Sequence, residues 1–305
     1  MTDQRTAVVL MGYGTPRTPA DILPYYTDIR RGTPPTPKQL DELTARYAAI
    51  GGISPLAERS DAQRRAMQAA LDRLAGGQYH VVLGMKHASP FIEESVEVLA
   101  RQGFKSAVGL VLAPHYSAFS VGQYLDRLAT AAAPHNMVVH EIKSWAVEPA
   151  LIDFIASDVR ARLADLPDAT RVLFTAHSLP QRILDTGDPY PSELLATAEG
   201  VAATVGLDNW GVAWQSAGRT PEPWLGPDIL QVIDELAADG HTRGVLVSAV
   251  GFVADHLEVL YDLDIEASRR AAAQGLEFAR TNCVNDDDAV MTALAHRVIQ
   301  SVGTT

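Results

Sequence analysis

Eight short apolar runs, each broken by a loop, occur in this chain as two successive sets of four with helical patterns between them. The runs lie at 7–11, 79–85, 107–113 and 137–142, and again at 171–175, 210–215, 244–250 and 276–280. Continuous apolar strands of this length, alternating with amphipathic helices, are the pattern of parallel sheet buried on both faces. In each set the third run is preceded by a helix ending on a glycine, 93–103 and 228–240, and the fourth is followed by another helix, 148–163 and 287–302. The repeat extends to the loops. VVLMGYGTP (8–16) and VLFTAHSLP (172–180) share an apolar run and a closing proline, and counted from those prolines Tyr13 and His177 hold equivalent places. The expected fold is α/β: two similar doubly wound, Rossmann-like domains over 1–145 and 146–305, each on a parallel four-stranded sheet. Two such halves facing each other would set a phenol and an imidazole on opposite walls of one cleft, which suits a flat ligand.

Composition bounds this picture. With 305 residues, 47% of them hydrophobic and 20% charged, the chain can bury two ordinary cores. No run approaches the eighteen or so apolar residues of a membrane span, and MTDQRTAVVL lacks the basic-then-apolar order of a signal peptide, so a cytoplasmic protein with no membrane contact is expected. A net charge of −12 argues against a nucleic-acid partner. Cys283 is the single cysteine, which excludes an internal disulfide and any cluster held by several cysteines of this chain.

Against that acidic background the local cations carry information. Arg30 and Arg31 follow ProTyrTyr at 24–26 and precede a proline-rich loop at 33–37; Arg46 and IleGlyGlyIleSerPro at 50–55 come next. About seventy residues separate the first two strands, far more than a parallel crossover requires, and an insertion at a strand's carboxyl end is where α/β proteins bind ligands. An arginine pair there suits carboxylates; the alternative is a solvated patch.

In the second half the run 244–250 enters GlyPheValAlaAspHisLeuGluValLeuTyrAspLeuAspIleGlu (251–266). Asp255 with Glu258 three residues on reads as the start of an α-helix. Along it Glu258, Asp262 and Glu266 are spaced four apart, which sets three carboxylates in one stripe. Like charges at that spacing cost a helix a few tenths of a kcal/mol each, roughly, so they call for a reason. Handling hydrated divalent cations is one; a solvated acidic face, with Glu266 paired to Arg270, is the other. His177, in AlaHisSerLeuPro at a strand's carboxyl end, is placed to exchange a proton near neutral pH, although an isolated histidine is commonly a packing residue. His87 and His115 also end first-half strands and read as lining.

MetGlyTyrGlyThrPro (11–16), TyrTyrThrAspIleArgArgGly (25–32), GlyGlyIleSerProLeu (51–56), AlaHisSerLeuPro (176–180), TrpGlnSer with TrpLeuGlyPro (214–216 and 224–227) and GlyPheValAlaAspHisLeuGluValLeuTyrAsp (251–262) together resemble the ferrochelatase family, nearly end to end and in order. The resemblance implies the two-domain chelatase fold and insertion of Fe²⁺ into a porphyrin late in haem synthesis. It implies His177 and Glu258 as the catalytic pair, and Asp262 and Glu266 as further metal-handling carboxylates. Tyr13 becomes a ligand to the product iron. Tyr13, Arg30, Arg31, Arg46, Ser54 and Tyr124 are the expected porphyrin contacts, with the two adjacent arginines near propionates. Within the family the chain is similar to the coproporphyrin III enzymes of Gram-positive bacteria. From this follow a monomer, no permanently bound cofactor, iron as substrate, and product passed to a later haem-synthesis enzyme. Some relatives hold a [2Fe–2S] cluster on four cysteines; this chain departs from them. Other readings are a protoporphyrin IX ferrochelatase, a cobalt chelatase of corrinoid synthesis, or a non-enzymatic haem carrier using Tyr13 and His177 as axial ligands.

Overall fold

A computed structural model of the chain describes residues 5–218 and 220–303. Each of the eight apolar runs forms a strand: β1 Thr6–Gly12, β2 Tyr79–Met85, β3 Ser106–Val111, β4 Val138–Ile142, β5 Thr170–His177, β6 Trp210–Gln215, β7 Gly244–Ser248 and β8 Glu277–Arg280. The first four form one sheet in the order β2-β1-β3-β4 and the last four a second in the order β6-β5-β7-β8, all pairs parallel. Val8, Val9 and Leu10 on β1, and Val172, Leu173 and Phe174 on β5, are at most 1% exposed, so both faces of each central strand are covered. That double burial is why the strands read as continuous apolar runs rather than as alternation.

The first strand of each set is an inner strand of its sheet, with the second strand on one side and the third on the other. Its carboxyl end is the topological switch point, where connections leave in opposite directions and a crevice opens. Tyr13 follows β1 and His177 ends β5, so each stands at that point of its own sheet.

The described residues fall into two compact units: those up to Ala113, Ser120–Ser144 and those from Asn285 onward in one, Pro114–Phe119 and Trp145–Val284 in the other. A single division after 145 does not describe them, because the last helix belongs with the first sheet. The helix Asp288–Gly303 packs along Leu56–Ala75 and buries Val290, Met291, Leu294, Ala295 and Val298. Arg73 donates to Asp288 at 2.8 Å and to Thr292 at 3.0 Å, and Gln63 to the Asn285 carbonyl at 3.0 Å. The segment Pro114–Phe119 goes the other way: Trp145 N–H donates to the Pro114 carbonyl, and Asp188 accepts from Ser117 Oγ and Ala118 N, both at 2.9 Å.

The long insertion after β1 forms three helices, Ile22–Ile29, Pro37–Ala49 and Leu56–Ala75. The second starts sharply because Thr36 and Gln39 make a reciprocal capping box and Pro37 fixes the first helical turn.

Past β7 the expected continuous α-helix is instead a short α turn, Leu257–Leu260, then a π turn, Asp262–Ala267, then α again over Ser268–Ala273. The apolar positions explain it. Val259, Leu263, Ala267 and Ala271 recur every fourth residue and all join the core under β5, β6 and β7. In a regular α-helix a four-residue repeat drifts by about 40° per step; under-winding into a π turn keeps the stripe on the core. The carboxylates of Glu258, Asp262 and Glu266, each one residue earlier, form a parallel stripe beside it.

Gly251 sets the distance between this segment and β5. Its N–H donates to the Thr175 carbonyl at 3.0 Å, and a Cβ there would lie 2.5 Å from Ala176 Cβ and 2.7 Å from Ala176 Cα. Gly251→Ala is expected to destabilise the protein by about 1–3 kcal/mol, as overpacking against backbone does. Urea denaturation checks this; unchanged stability would mean that the loop after β7 shifts freely.

Candidate active site

His177 sits at the end of β5, paired in register with Gln215 of β6. Hydrogen bonds continue the ladder past the strands: Ser178 N donates to the Gln215 carbonyl at 2.8 Å and Ser178 Oγ to the Leu225 carbonyl at 2.8 Å. The Tyr190 hydroxyl donates to the His177 carbonyl at 3.0 Å, so the backbone carrying the imidazole is held from several sides. On the ring, Nδ1 faces the Ser178 carbonyl at 2.5 Å, which assigns its proton there and turns Nε2 outward.

Nε2 of His177 lies 3.5 Å from Glu258 Oε1, and Glu258 Oε2 lies 3.6 Å from Nε2 of His256. One carboxylate is thus shared by two imidazoles, and Phe252 stacks obliquely beside both rings. Burial by itself would lower the His177 pKa, but the Glu258 charge and contact, the Ser178 carbonyl and Asp262 outweigh it and bring it up to about 9. Glu258 moves oppositely: burial favours its neutral form, and His177 and His256 overcome that, holding its carboxyl well below the usual range. At neutral pH the pair is imidazolium and carboxylate.

The remaining carboxylates of the stripe are unlike one another. Asp262 is buried, 7% exposed, and accepts from Ser216 Oγ at 2.5 Å; Ser216 holds φ +59° to reach it. Glu266 is half-buried, and Arg270, its partner in the solvated-face alternative, binds Asp234 at 2.8 Å. Asp255 does not cap the helix as expected; it is 3.1 Å from Arg280, and His256 takes the N-cap place. Gln215 accepts from Thr175 Oγ1 at 2.8 Å and donates to the Glu258 carbonyl at 3.2 Å, tying β6 to the helix start. Among the described residues no three His, Cys, Asp or Glu side chains converge into a ready metal cage.

In the first unit, Tyr13 is 42% exposed, with His87 at 4.6 Å between ring centroids and Tyr25 edge-on at 6.5 Å. His87 Nδ1 is 2.7 Å from Asp28, and burial outweighs that carboxylate to lower its pKa. Lys86, between Met85 and His87, carries no motif in the sequence that marks it, and its surroundings single it out. It donates to Gln123 at 2.6 Å and stands 5.2 Å from the Tyr124 ring centroid; burial, then Arg127 and Arg31, bring its ammonium down to about 8. Arg30 lies over Tyr26 at 5.8 Å and donates to the Thr33 carbonyl at 3.2 Å, while Arg31 adopts φ +56°. Arg46 is half-buried near the end of its helix, Ser54 is buried and accepts from Leu56 N at 3.2 Å, and Tyr124 is 6% exposed.

His115, expected as lining, is a core residue of the second unit. It is 2% exposed and 2.8 Å from Thr197 Oγ1, and burial takes its pKa down to about 3. Cys283 is buried near the end of β8 and burial pushes its thiol up.

Two parallel sheets of identical strand order, with Tyr13 and His177 at their switch points, are consistent with the two-domain chelatase fold. SirB from Bacillus subtilis with Fe³⁺ is similar at a TM-score of 0.60 and 13% identity, covering 97% of this chain and 95% of that one. CbiX, described as the terminal enzyme of sirohaem biosynthesis in denitrifying bacteria, is similar at 0.54 and 14% identity, covering 97% and 99%. The chain belongs to the ferrochelatase family, enzymes that insert metal into porphyrin: the ferrochelatase family model matches residues 5–302. A ferrochelatase from Herpetosiphon aurantiacus is 43% identical over 95% of this chain and 97% of its own length. Coproporphyrin III ferrochelatases from Geobacillus kaustophilus and Halalkalibacterium halodurans are 40% and 42% identical, covering 98% and 97% of this chain and 97% and 96% of theirs.

The ion pair has a pH signature. The His177 pKa rises from 6.5 to about 9, so its contribution to stability is complete below pH 6.5 and is lost as pH rises through about 9. The Glu258 pKa falls from 4.5, so its contribution is present above pH 4.5 and lost as pH falls further. The stability gap between the parent and Glu258→Gln is therefore expected to be widest between pH 4.5 and 6.5 and to narrow as pH rises through about 9. Urea titrations across that range check it; a pH-independent gap would contradict the pairing.

Proposed function

We propose that this chain inserts Fe²⁺ into coproporphyrin III to give coprohaem, with the His177–Glu258 pair managing the protons that leave the ring. The observation that carries this reading is the imidazole 3.5 Å from a carboxylate at the carboxyl end of β5. Metallation requires the pyrrole nitrogens to lose their protons as iron loses its waters. An imidazole with a pKa of about 9 holds a proton at neutral pH, so it serves as a base only after giving that proton up. A dication arriving beside it destabilises the imidazolium, which gives its Nε2 proton to water; the neutral ring then takes one pyrrole proton, passes it to water and takes the second, so that two protons leave for each iron inserted. Glu258 keeps the ring oriented throughout and balances its positive charge whenever it is protonated. Asp262 and Glu266 conduct hydrated iron by oxygen contacts weak enough to release it.

On the porphyrin side, Arg30, Arg31 and Lys86 meet propionates, and Arg46, Ser54 and Tyr124 complete the contacts. Crowding of Lys86 by Arg31 and Arg127 supports this assignment, because a carboxylate relieves that repulsion. Coproporphyrin III has more propionates than protoporphyrin IX, and the relatives named for it support the same choice. Tyr13 ligates iron after insertion. The reaction needs no resident cofactor, and the enzyme works as a cytoplasmic monomer that passes coprohaem to a later enzyme. Among the described residues no helix is long and apolar enough to cross a membrane.

Anaerobic incubation with Fe²⁺ and coproporphyrin III or protoporphyrin IX, followed by absorbance, tests the reading: turnover should favour coproporphyrin III. His177→Ala is expected to lose at least about a hundredfold in kcat while still binding porphyrin. In the parent, kcat/KM should rise with pH toward about 9, and Glu258→Gln should move that limb down toward the ordinary imidazole value of 6.5. A His177→Ala enzyme of near-parental rate would remove the imidazole from proton transfer. Bound haem with no metallation of free porphyrin would make the protein a carrier.

A further inference from the structure

We propose that Arg280 is a positioning residue for this site, one guanidinium fastening both ends of the segment that carries His256, Glu258 and Asp262. The inference rests on the function proposed above and concerns the same site. Asp255 immediately precedes that segment and Asp264 follows it by two residues. Arg280, the last residue of β8, reaches both: Nη2 donates to Asp255 Oδ1 at 3.1 Å, while Nε and Nη2 donate to the two oxygens of Asp264 at 2.6 and 3.1 Å. Its remaining nitrogen donates to the Thr281 carbonyl at 2.9 Å. The Arg280 side chain is 15% exposed and that of Asp255 17%, so this end of the clamp is sheltered, while Asp264 at the other end is 38% exposed and is held by two hydrogen bonds instead of one.

The anchor is rigid. Arg280 pairs in register with Val247 of β7, the strand from which the loop to Asp255 departs. The loop therefore leaves one strand and is tied back to the adjacent one. What lies between needs such a restraint. The segment changes from an α to a π turn, with the N–H groups of Ile265 and Glu266 both directed at the Tyr261 carbonyl, at 3.3 and 2.9 Å. Single π turns are poorer in hydrogen-bond geometry than continuous helix and persist where packing holds them. Asp255, Glu258, Asp262, Asp264 and Glu266 also place five acids in twelve residues. Arg280 fits both needs, because only a planar fork grips Asp264 bidentately while reaching Asp255. Without it the Glu258 carboxylate loses its fixed place against His177.

The test uses the full-length protein carrying Arg280→Ala, Arg280→Lys or Asp264→Asn. In each, imidazole NMR resonances of His177 and His256 are recorded without substrate, thermal unfolding is followed, and iron insertion is measured anaerobically. Arg280→Ala is expected to lower kcat by about tenfold or more with the coproporphyrin III KM changed less than about threefold, since a displaced proton-transfer group costs turnover rather than binding. The His256 and His177 resonances should move. Arg280→Lys, which keeps the charge and loses the fork, should recover only part of kcat; Asp264→Asn, which leaves Arg280 in place, should show the same pattern more weakly and stands in if the alanine variant does not fold. Resonances unmoved in all three variants, or full recovery by lysine, would overturn the proposal. Resonances that move in a protein whose parent metallates no porphyrin would uphold the clamp and overturn the function assigned to the site.

Discussion

The contact between the His177 imidazole and the Glu258 carboxylate is the interaction on which the rest of the site depends. At 3.5 Å, with Ser178 fixing one ring nitrogen and His256 sharing the carboxylate, it makes a cation of a residue that would otherwise be neutral near pH 7. Burial opposes that charge, and the carboxylate overcomes it. In the function proposed for this site, such a pair answers an arriving dication by releasing a proton, which metallation of a free-base ring asks of its surroundings. The same pair explains why a stripe of acids is tolerated: the charge of Glu258 is already answered by two imidazoles.

The architecture serves that contact by placing its members on separate but braced elements. His177 comes from the inner strand β5, and Glu258 from the segment after β7, its neighbour on one side. Gln215 on β6, its neighbour on the other side, reaches across to the Glu258 carbonyl at 3.2 Å. Gly251 allows the backbones to approach, and the period-four core stripe of Val259, Leu263 and Ala267 fixes the rotation of the helix that bears the acids. Apolar packing on one side of that helix thus dictates where its charges stand on the other.

Much of this was legible in the residues. The inner strands β1, β3, β5 and β7 follow from uninterrupted apolar runs, because burial on both faces leaves no periodicity to misread, while the edge strands β4 and β8 are half-buried or exposed and follow from their place in the repeat. That His177 ends a strand and that Glu258 stands at a helix start was legible from position and spacing. The helix beyond β7 was only half legible: three acids at spacing four imply one stripe, but the apolar residues at the same spacing also imply under-winding, and that signal at 259, 263 and 267 was present to be read. The Asp255 cap failed for a different reason, and the same reason gives Arg270 a partner outside its own helix. Local pairing rules rank partners by sequence distance, and here Arg280 and Asp234, both remote, compete successfully. The same holds for the last helix, which the sequence places after the second sheet and which packs on the helix Leu56–Ala75. No local pattern separates His115, a buried neutral core residue, from His177, since both lie in similar loops at or just past a strand end; the Glu258 carboxylate beside His177 makes the difference. Lys86 stands beside His87 in no recognisable motif, and only its surroundings mark it out.

The central claim is electrostatic and can be measured without substrate, iron or turnover. Titrating the His177 imidazole by NMR in the full-length protein should give a pKa of about 9, with the Nδ1 proton retained throughout. A value at or below the ordinary 6.5 would show that Glu258 does not govern the ring, and the account of the site would not stand.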